Sequence, residues 1–435
     1  MKVTSCCLLL IRWLQWLMSI LVLLSCCLIL LTQAEKRYLV YMKRWLRLRD
    51  FALKRLNISG LRERLTLTHL RCNAAALSAD LSLMIKTPDC AWNLRDLQNV
   101  PKRGIKVMST FACGGGSSMG YKLAGCEVVA ANDIDPEMAW HYQKNINPLH
   151  YFLSPIRELL DTSLPAEVCD LDILDGSPPC STFSMAGSRE KAWGKRKHFR
   201  EGQAEQVLSD LFFDYLDVVE MLRPKVAIAE NVKGMICGNA KGYTKMVMQR
   251  FKQIGYVPQL FLLNAADCGV PQRRERVFFC AIRSDLARRS LKLCPKMPWV
   301  TAAQATADLQ ELTAEEIIAT APGTIVKRWW KKTRPGERFE QAALRYGHKP
   351  KLFNYPKLHP NLPSVTLVSQ GLDQISHWSC CRSLTFREWK RLGSFPDDYV
   401  AKDEKIGKYM VGMSVPPRMT QAVANAVIDQ WLLPT

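Results

Sequence analysis

No two cysteines in this chain stand in a Cys-x-x-Cys spacing, although there are sixteen of them. That absence removes the zinc knuckle, and the adjacent pairs Cys6-Cys7, Cys26-Cys27 and Cys380-Cys381 do not suit a disulfide framework. No metal site is expected, and the thiols read as those of a reducing cytoplasm. Negative charge is the second shortage. Against 60 Lys and Arg there are 40 Asp and Glu, which leaves a formal charge of +20 and favours a polyanionic partner such as nucleic acid. The excess is uneven, with +11 of it carried by residues 1–104. At 435 residues the chain has room for roughly two or three domains and a sizeable core.

The first 34 residues pull against a cytoplasmic reading. From Trp13 to Thr32 the chain is nearly all Leu, Ile, Val, Met, Trp and Cys, long enough to span a bilayer as a helix. Lys36, Arg37, Lys43, Arg44, Arg47 and Arg49 follow at once, and by the positive-inside rule everything downstream would stay cytoplasmic. Three readings stay open. The segment is a membrane anchor, or a leader ending near Thr32-Gln33-Ala34, or the recorded start lies upstream of the real one, with Met42 and Met84 as later candidates. Residues 35–104 are basic, partly helical in pattern and otherwise uninformative.

Chemistry gathers around Leu171–Gly187, LDILDGSPPCSTFSMAG. Leu171, Ile173 and Leu174 read as a buried strand ending in the turn Asp175-Gly176-Ser177, and Pro178-Pro179 then fix φ ahead of Cys180. A thiol on a stiff pedestal at the carboxyl end of a strand stands where open α/β sheets place their ligands. A lone cysteine is more often a small buried hydrophobe. Upstream, the strand IKVMSTF runs into Ala112-Cys113-Gly114-Gly115-Gly116, and an apparent helix follows. Glycines let backbone approach a ligand, and a helix N-terminus offers N–H groups to an anion. Asp133 ends the next strand 18 residues after Gly115, close to the ~20 expected of an acid that accepts ribose hydroxyls. A plain tight turn fits that pattern about as well.

Downstream, Ser181–Gln206 is a basic, glycine-containing loop suited to closing over phosphates, or simply solvated. Leu208, Leu211, Phe212, Tyr215, Leu216, Val219 and Leu222 recur at helical spacing and deliver a short apolar strand that ends in Glu230-Asn231-Val232. Glu230 is placed to face Cys180 across one crevice or to cap the next helix. In Gly269-Val270-Pro271-Gln272-Arg273-Arg274-Glu275-Arg276, alternation puts Gln272, Arg274 and Arg276 on one side, and Arg273 with Glu275 on the other.

In order, the chain carries TFACGGGSSMGYKLAG, DGSPPCSTFSMAG, AENVKGM, GVPQRRERVFF, RSLTFREWKRLGSFPD and VGMSVPP. This set resembles the DNA (cytosine-5-)-methyltransferase family of the compact bacterial or phage type, over about Ile105 to Trp431. The resemblance implies an α/β fold: a Rossmann-like S-adenosylmethionine-dependent methyltransferase domain with a small target-recognition domain inserted before the C-terminal motifs. It implies Cys180 as the nucleophile that adds to cytosine C6, Glu230 as the acid at N3, and Arg274 and Arg276 as the arginines that hold that carboxylate and the base's O2. It implies S-adenosylmethionine bound by Phe111, Ala112, Cys113, Gly114, Gly115, Gly116, Asp133, Ile134, Asp175 and Pro178. Contacts to DNA are expected from Ser181, Gln272, Lys331, Lys332, Thr366 and Leu367. The target base must leave the stack to be reached.

The implied partners are duplex DNA and a cognate restriction endonuclease, and the enzyme is expected to act as a monomer. It is expected in the cytoplasm on DNA, membrane-anchored only if residues 13–32 are made. The implied domains are a hydrophobic segment at 1–34, a basic region at 35–104, the catalytic domain at 105–284, target recognition at 285–381, and a return to the catalytic domain at 382–435. Within the recognition stretch, Lys327–Arg334 interleaves basic side chains with Trp329 and Trp330, which suits phosphate contact with stacking, or a tryptophan pair in a core.

Four departures from the usual motifs stand out. Cys113 occupies a common glycine, Pro155 a common aspartate, Ser181 a common glutamine and Met413 a common asparagine. Two rival readings remain: methylation of cytosine in transfer RNA, and a catalytically weakened DNA-binding relic. A chain starting at Met84 is expected to bind S-adenosylmethionine and methylate DNA as well as the full chain. A folded but inactive product in a methyl-incorporation assay would make residues 1–83 part of the enzyme.

Overall fold

The computed structural model describes residues 90–179, 196–197, 206–207, 211–238, 240–286, 289–348, 355–369, 371 and 373–433. The apolar run Trp13–Thr32, both implied segments before residue 90, Cys180 and Ser181 lie outside the described residues. Among those described, no helix is long and apolar enough to cross a membrane.

A seven-stranded sheet in the order β3-β2-β1-β4-β7-β9-β8 carries the molecule. Its strands are β1 (Lys106–Thr110), β2 (Glu127–Asp133), β3 (His150–Leu153), β4 (Ile173–Gly176), β7 (Val226–Val232), β8 (Tyr256–Asn264) and β9 (Glu275–Arg283). The short pair β5 (Arg196–Lys197) and β6 (Gln206–Val207) is antiparallel and separate, within the basic loop. Strands β3, β2, β1, β4 and β7 are mutually parallel. β9 reverses direction against β7, and β8 pairs antiparallel with β9. The chain goes from β1 to β2 on one side and from β4 to β7 on the other, so a crevice opens at the carboxyl ends of β1 and β4.

Both faces of the sheet are covered, which is why the central strands are apolar throughout rather than alternating. On one face Met108, Leu174, Ala227 and Phe279 pack with Phe212, Tyr215 and Val219 of the crossover helix. On the other, Val107, Ile173, Val226 and Phe278 pack with Met419, Val423 and Val427. The crossover helix Leu211–Leu222 carries the periodic residues read from the sequence from Leu211 onward, and Leu208 lies outside the described residues. Its Tyr215 hydroxyl donates to the carbonyls of Leu174 (2.9 Å) and Ile228 (3.0 Å), locking the helix over β4 and β7. Gly176 makes room for that ring: a Cβ there would lie 2.6 Å from Tyr215.

Segments far apart in sequence meet in a third cluster. Cys90 and Trp92 bury themselves with Trp389, Phe395 and Met410, and the Trp92 indole N–H donates to the Ser394 carbonyl (2.9 Å). The stretch between Asp285 and Cys381 folds into short helices around a small core of its own, Val326, Trp329, Phe339, Ala342 and Ala343. Ala302 and Ala305, earlier in that stretch, pack instead into the third cluster. Ion pairs tie the insertion to the helix Phe386–Leu392: Arg391 to Asp308 (2.8 Å) and Arg387 to Glu316 (2.7 Å). The Arg391 guanidinium is buried and holds a second carboxylate, that of Asp397 (2.6 Å), so it keeps an acidic partner even if Asp308 is lost.

The helix α1 (Gly116–Leu123) follows β1, and the final α-helix, Pro417–Val427, lies against it. Contact is close enough to demand glycine. A Cβ on Gly116 would stand 2.4 Å from the Val415 carbonyl oxygen, and one on Gly120 2.4 Å from that of Pro417. Neither backbone oxygen can step aside without moving a helix. Gly120→Ala is therefore expected to destabilise the protein by about 1–3 kcal/mol, read as a lower urea midpoint at unchanged slope.

Candidate active site

The carboxyl ends of β1, β4 and β7 lie side by side, since Thr110 pairs with Gly176 and Gly176 with Ala229. The glycine turn after β1, Pro178-Pro179 after β4 and the Glu230-Asn231-Val232 end of β7 therefore lie at one edge. One hydrogen bond joins the last two. The Asn231 side-chain amide donates to the Pro178 carbonyl (3.0 Å), so the residue after Glu230 holds the residue two before Cys180.

Glu230 is buried and accepts an ion pair from Arg276 Nε at 2.9 Å. Arg276 comes from β9, antiparallel to β7, in the register Val232 to Arg276. Burial pushes the Arg276 guanidinium down, and Glu230 opposes that shift. Arg274 is buried outright and lowered further by desolvation and then by its like-charged neighbour Arg276. Its Nη1 donates to the Leu367 carbonyl (2.9 Å), while its Nε has no partner. The alternation read from the sequence is present: Gln272 and Arg274 are buried, whereas Arg273 and Glu275 are exposed.

The glycine turn is strained as its sequence implies. Phe111 (φ 52°) and Cys113 (φ 46°) both adopt left-handed backbone, as does Gly115 (φ 84°). The cysteine at a customary glycine thus keeps the turn at a conformational cost of about 1–2 kcal/mol. Its thiol is pushed up to about 12 by burial and then by Asp133, so it stays protonated and poorly nucleophilic. Asp133 accepts from the Cys113 N–H (2.7 Å) and the Asp135 N–H (3.0 Å), which orients its carboxylate at the turn. Burial raises its pKa, and those backbone hydrogen bonds oppose the rise. Ile134 beside it is half-buried.

These residues fit S-adenosylmethionine. The first-turn N–H groups of α1 lack intrahelical acceptors and suit a carboxylate. Ser414 Oγ, buried against Gly116, has no hydrogen-bond partner except the weak thiol of Cys113 beside it. An orphaned hydroxyl at the turn is a vacant polar contact of the kind a ligand's amino-acid end would take up. Sequence reasoning passed over Ser414, although it sits inside VGMSVPP. It also passed over Tyr399, whose hydroxyl donates to the Gly114 carbonyl (2.7 Å) from 285 positions away.

Three expectations need correction. Asp175 does not offer its carboxylate to a ligand: it is buried and accepts from Ser109 Oγ (2.9 Å), Ser117 Oγ (2.8 Å) and the Tyr121 hydroxyl (3.0 Å). Gln272 does not offer its amide to DNA. Its Nε2 donates to the Leu392 carbonyl (3.3 Å) and its Oε1 accepts the Leu367 N–H (3.0 Å), both within the protein. The Leu367 side chain is buried in the third cluster, while Thr366 Oγ1 donates to the Arg273 carbonyl (2.7 Å). Gln272 and Arg274 thereby hold the backbone of the 366–367 segment against the Gln272–Arg276 run.

The Lys327–Arg334 run divides. Trp329 is buried in the small core, and Trp330 lies under the Lys357 ammonium (3.6 Å from the ring centre), so neither indole is a free stacking surface. Lys331 and Lys332 remain exposed.

A family profile described as C-5 cytosine-specific DNA methylase matches residues 105–429. The chain is 29% identical over 358 residues to Type II methyltransferase M.NgoFVII of Neisseria gonorrhoeae, covering 77% of this chain and 88% of that one. To Type II methyltransferase M1.HphI of Haemophilus parahaemolyticus it is 28% identical over 335 residues, covering 74% and 87%. In fold it is similar to a solved prophage-encoded protein of E. coli, with a TM-score of 0.57 at 19% identity, covering 75% and 99%.

Lys331→Ala with Lys332→Ala tests the exposed half of the basic run. Each lost phosphate contact should take ~0.9 from the log–log salt slope of duplex binding, with cofactor affinity unchanged. An unaltered slope would make these lysines bystanders.

Proposed function

Because this chain belongs to the C-5 cytosine-specific DNA methylases, we propose that it carries out S-adenosylmethionine-dependent methylation of cytosine C5 with Cys180 as nucleophile and Glu230, held by Arg276, as its acid. The observation that carries the assignment is the Asn231–Pro178 hydrogen bond, which ties the strand end bearing Glu230 to the pedestal of Cys180.

Cytosine C5 is a poor nucleophile. Addition of the Cys180 thiolate to C6 forms an S–C6 bond and pushes an electron pair toward C5, which makes that carbon enamine-like. Glu230 donates a hydrogen bond or proton at N3, so negative charge does not build up on the ring. Arg276 fixes the Glu230 carboxyl, and buried Arg274 is positioned for the base's O2. Phe111–Gly116, Asp133, Ile134 and Ser414 would hold S-adenosylmethionine, which when bound supplies an electrophilic methyl group. After C5 is methylated, its proton leaves and the S–C6 bond breaks, restoring aromaticity and the free thiol.

The family description names DNA, and no feature of the site favours transfer RNA. The type II relatives support a modification role in which methylation of one sequence guards DNA against a cognate endonuclease. Exposed Lys331 and Lys332 serve as phosphate contacts in this reading, which also gives Ser181 a contact to DNA.

A duplex with 5-fluorocytosine at the target tests the chemistry, because fluorine at C5 cannot leave as a proton does. It should form a denaturation-resistant adduct only when S-adenosylmethionine is present. Cys180→Ala should abolish adduct and turnover while DNA binding survives. Glu230→Gln keeps the shape but not the proton, and should slow adduct formation ~10²–10⁴-fold. An adduct mapped to another cysteine, or near-normal turnover by Cys180→Ala, would overturn the assignment.

A further inference from the structure

Asp175 poses a physical puzzle. It is an almost wholly buried acid five residues before Cys180, on the central strand β4. Among the described residues, the hydrogen-bond donors to its carboxylate are all hydroxyls: Ser109 from β1, and Ser117 and Tyr121 from α1. The charged neighbour from β7, Glu230, is acidic as well. Burial accordingly pushes the Asp175 carboxyl up to about 6, against the pull of the three hydroxyls. An apolar side chain of similar volume would fill such a site at lower cost. What apolar packing would not supply is direction, since three hydrogen bonds from two elements fix one position of α1 against β4.

We propose that Asp175 is a positioning residue that locks the first turn of α1 to the end of β4, so that the cofactor turn and the nucleophile's pedestal move as one body. The elements it joins are those whose spacing the reaction needs. Ser117 lies one residue into the helix that Gly115 and Gly116 open, and Pro178 follows Asp175 by three residues. The backbone repeats the link, because Thr110 Oγ1 donates to the Asp175 carbonyl (2.9 Å) and Thr110 leads directly into the glycine turn. Glu230 is tied to the same pedestal through Asn231, so Cys180 and Glu230 keep their mutual geometry when the strut is lost. Only the methyl donor's site loses its register.

This inference rests on Cys180 as nucleophile, and it predicts a split between two reactions of one site. Without cofactor, Cys180 adds to C6, C5 takes a proton from water, and loss of the original C5 hydrogen with rupture of S–C6 exchanges that hydrogen with solvent. Tritium release from 5-tritiated cytosine in duplex DNA without S-adenosylmethionine reads this partial reaction, and methyl incorporation reads the whole. Asp175→Ala should cut methyl incorporation by about 100-fold, the scale of a 1 Å misplacement, while cofactor-free tritium release stays at the wild-type rate. Asp175→Asn, which keeps the shape and one acceptor oxygen, should restore most of the loss. If Asp175→Ala does not fold, Ser117→Ala removes one strut bond from the helix side and should show the same split in smaller measure. Parallel loss of both reactions, or no loss of either, would overturn the proposal. Absence of tritium release from the wild type would overturn the Cys180 reading, and the strut with it.

Discussion

A single carbonyl, that of Pro178, ties the ends of β4 and β7 together. Two prolines remove the backbone freedom of the segment before Cys180, but stiffness alone does not place it. The Asn231 amide does, by binding that carbonyl from the neighbouring strand end. Since Asn231 follows Glu230 directly, the acid and the pedestal cannot drift apart without breaking a buried hydrogen bond, which would leave polar groups unsatisfied at about 1–3 kcal/mol. The Tyr215 hydroxyl reinforces the arrangement from below by bridging carbonyls of β4 and β7. Sheet, crossover helix and catalytic edge are in this sense one construction.

Much of this was legible in the sequence because it is local. The strand-turn-helix at 105–123, the crossover helix and the alternation across 272–276 all follow from periodicity over a few residues, which backbone geometry dictates. The glycines of the cofactor turn were legible as glycines, but not the reason for two of them. Gly116 and Gly120 are small because Val415 and Pro417, nearly 300 residues on, press their carbonyl oxygens into the space a Cβ would need.

What stayed illegible depends on contacts across long stretches of chain. Gln272 has the composition of a DNA contact, yet its amide closes onto Leu367 and Leu392. Asp175 has the composition of a ligand contact, yet the hydroxyls that claim it come from two other elements. Trp329 and Trp330 read equally as core or as stacking surface, and Phe339 and Lys357 decide the matter by covering them. Cys90 and Trp92 precede the first motif but complete the cluster around Trp389 and Phe395. Side-chain chemistry tells what a residue can do, and tertiary contact decides which of its options remains open.

The 366–367 segment shows how buried contacts couple distant parts of the chain. Arg274 is a fully buried cation whose nearest like charge, Arg276, disfavours it. An arginine keeps its proton under such pressure, so the cost must be met by acceptors rather than by neutralisation. The Leu367 carbonyl is one, and Glu230 helps electrostatically. The Nε of Arg274 has no acceptor among the described residues, and in the proposed reaction the cytosine O2 supplies one. Leu367 is gripped a second time by Gln272, and Thr366 bonds the Arg273 carbonyl, so the 366–367 segment cannot shift without disturbing Arg274. The insertion that precedes this segment is itself pinned to the catalytic side through Asp308–Arg391 and Glu316–Arg387. A displacement of that stretch is thus transmitted to Arg274 through hydrogen bonds, by way of the buried charge that has the least freedom to move.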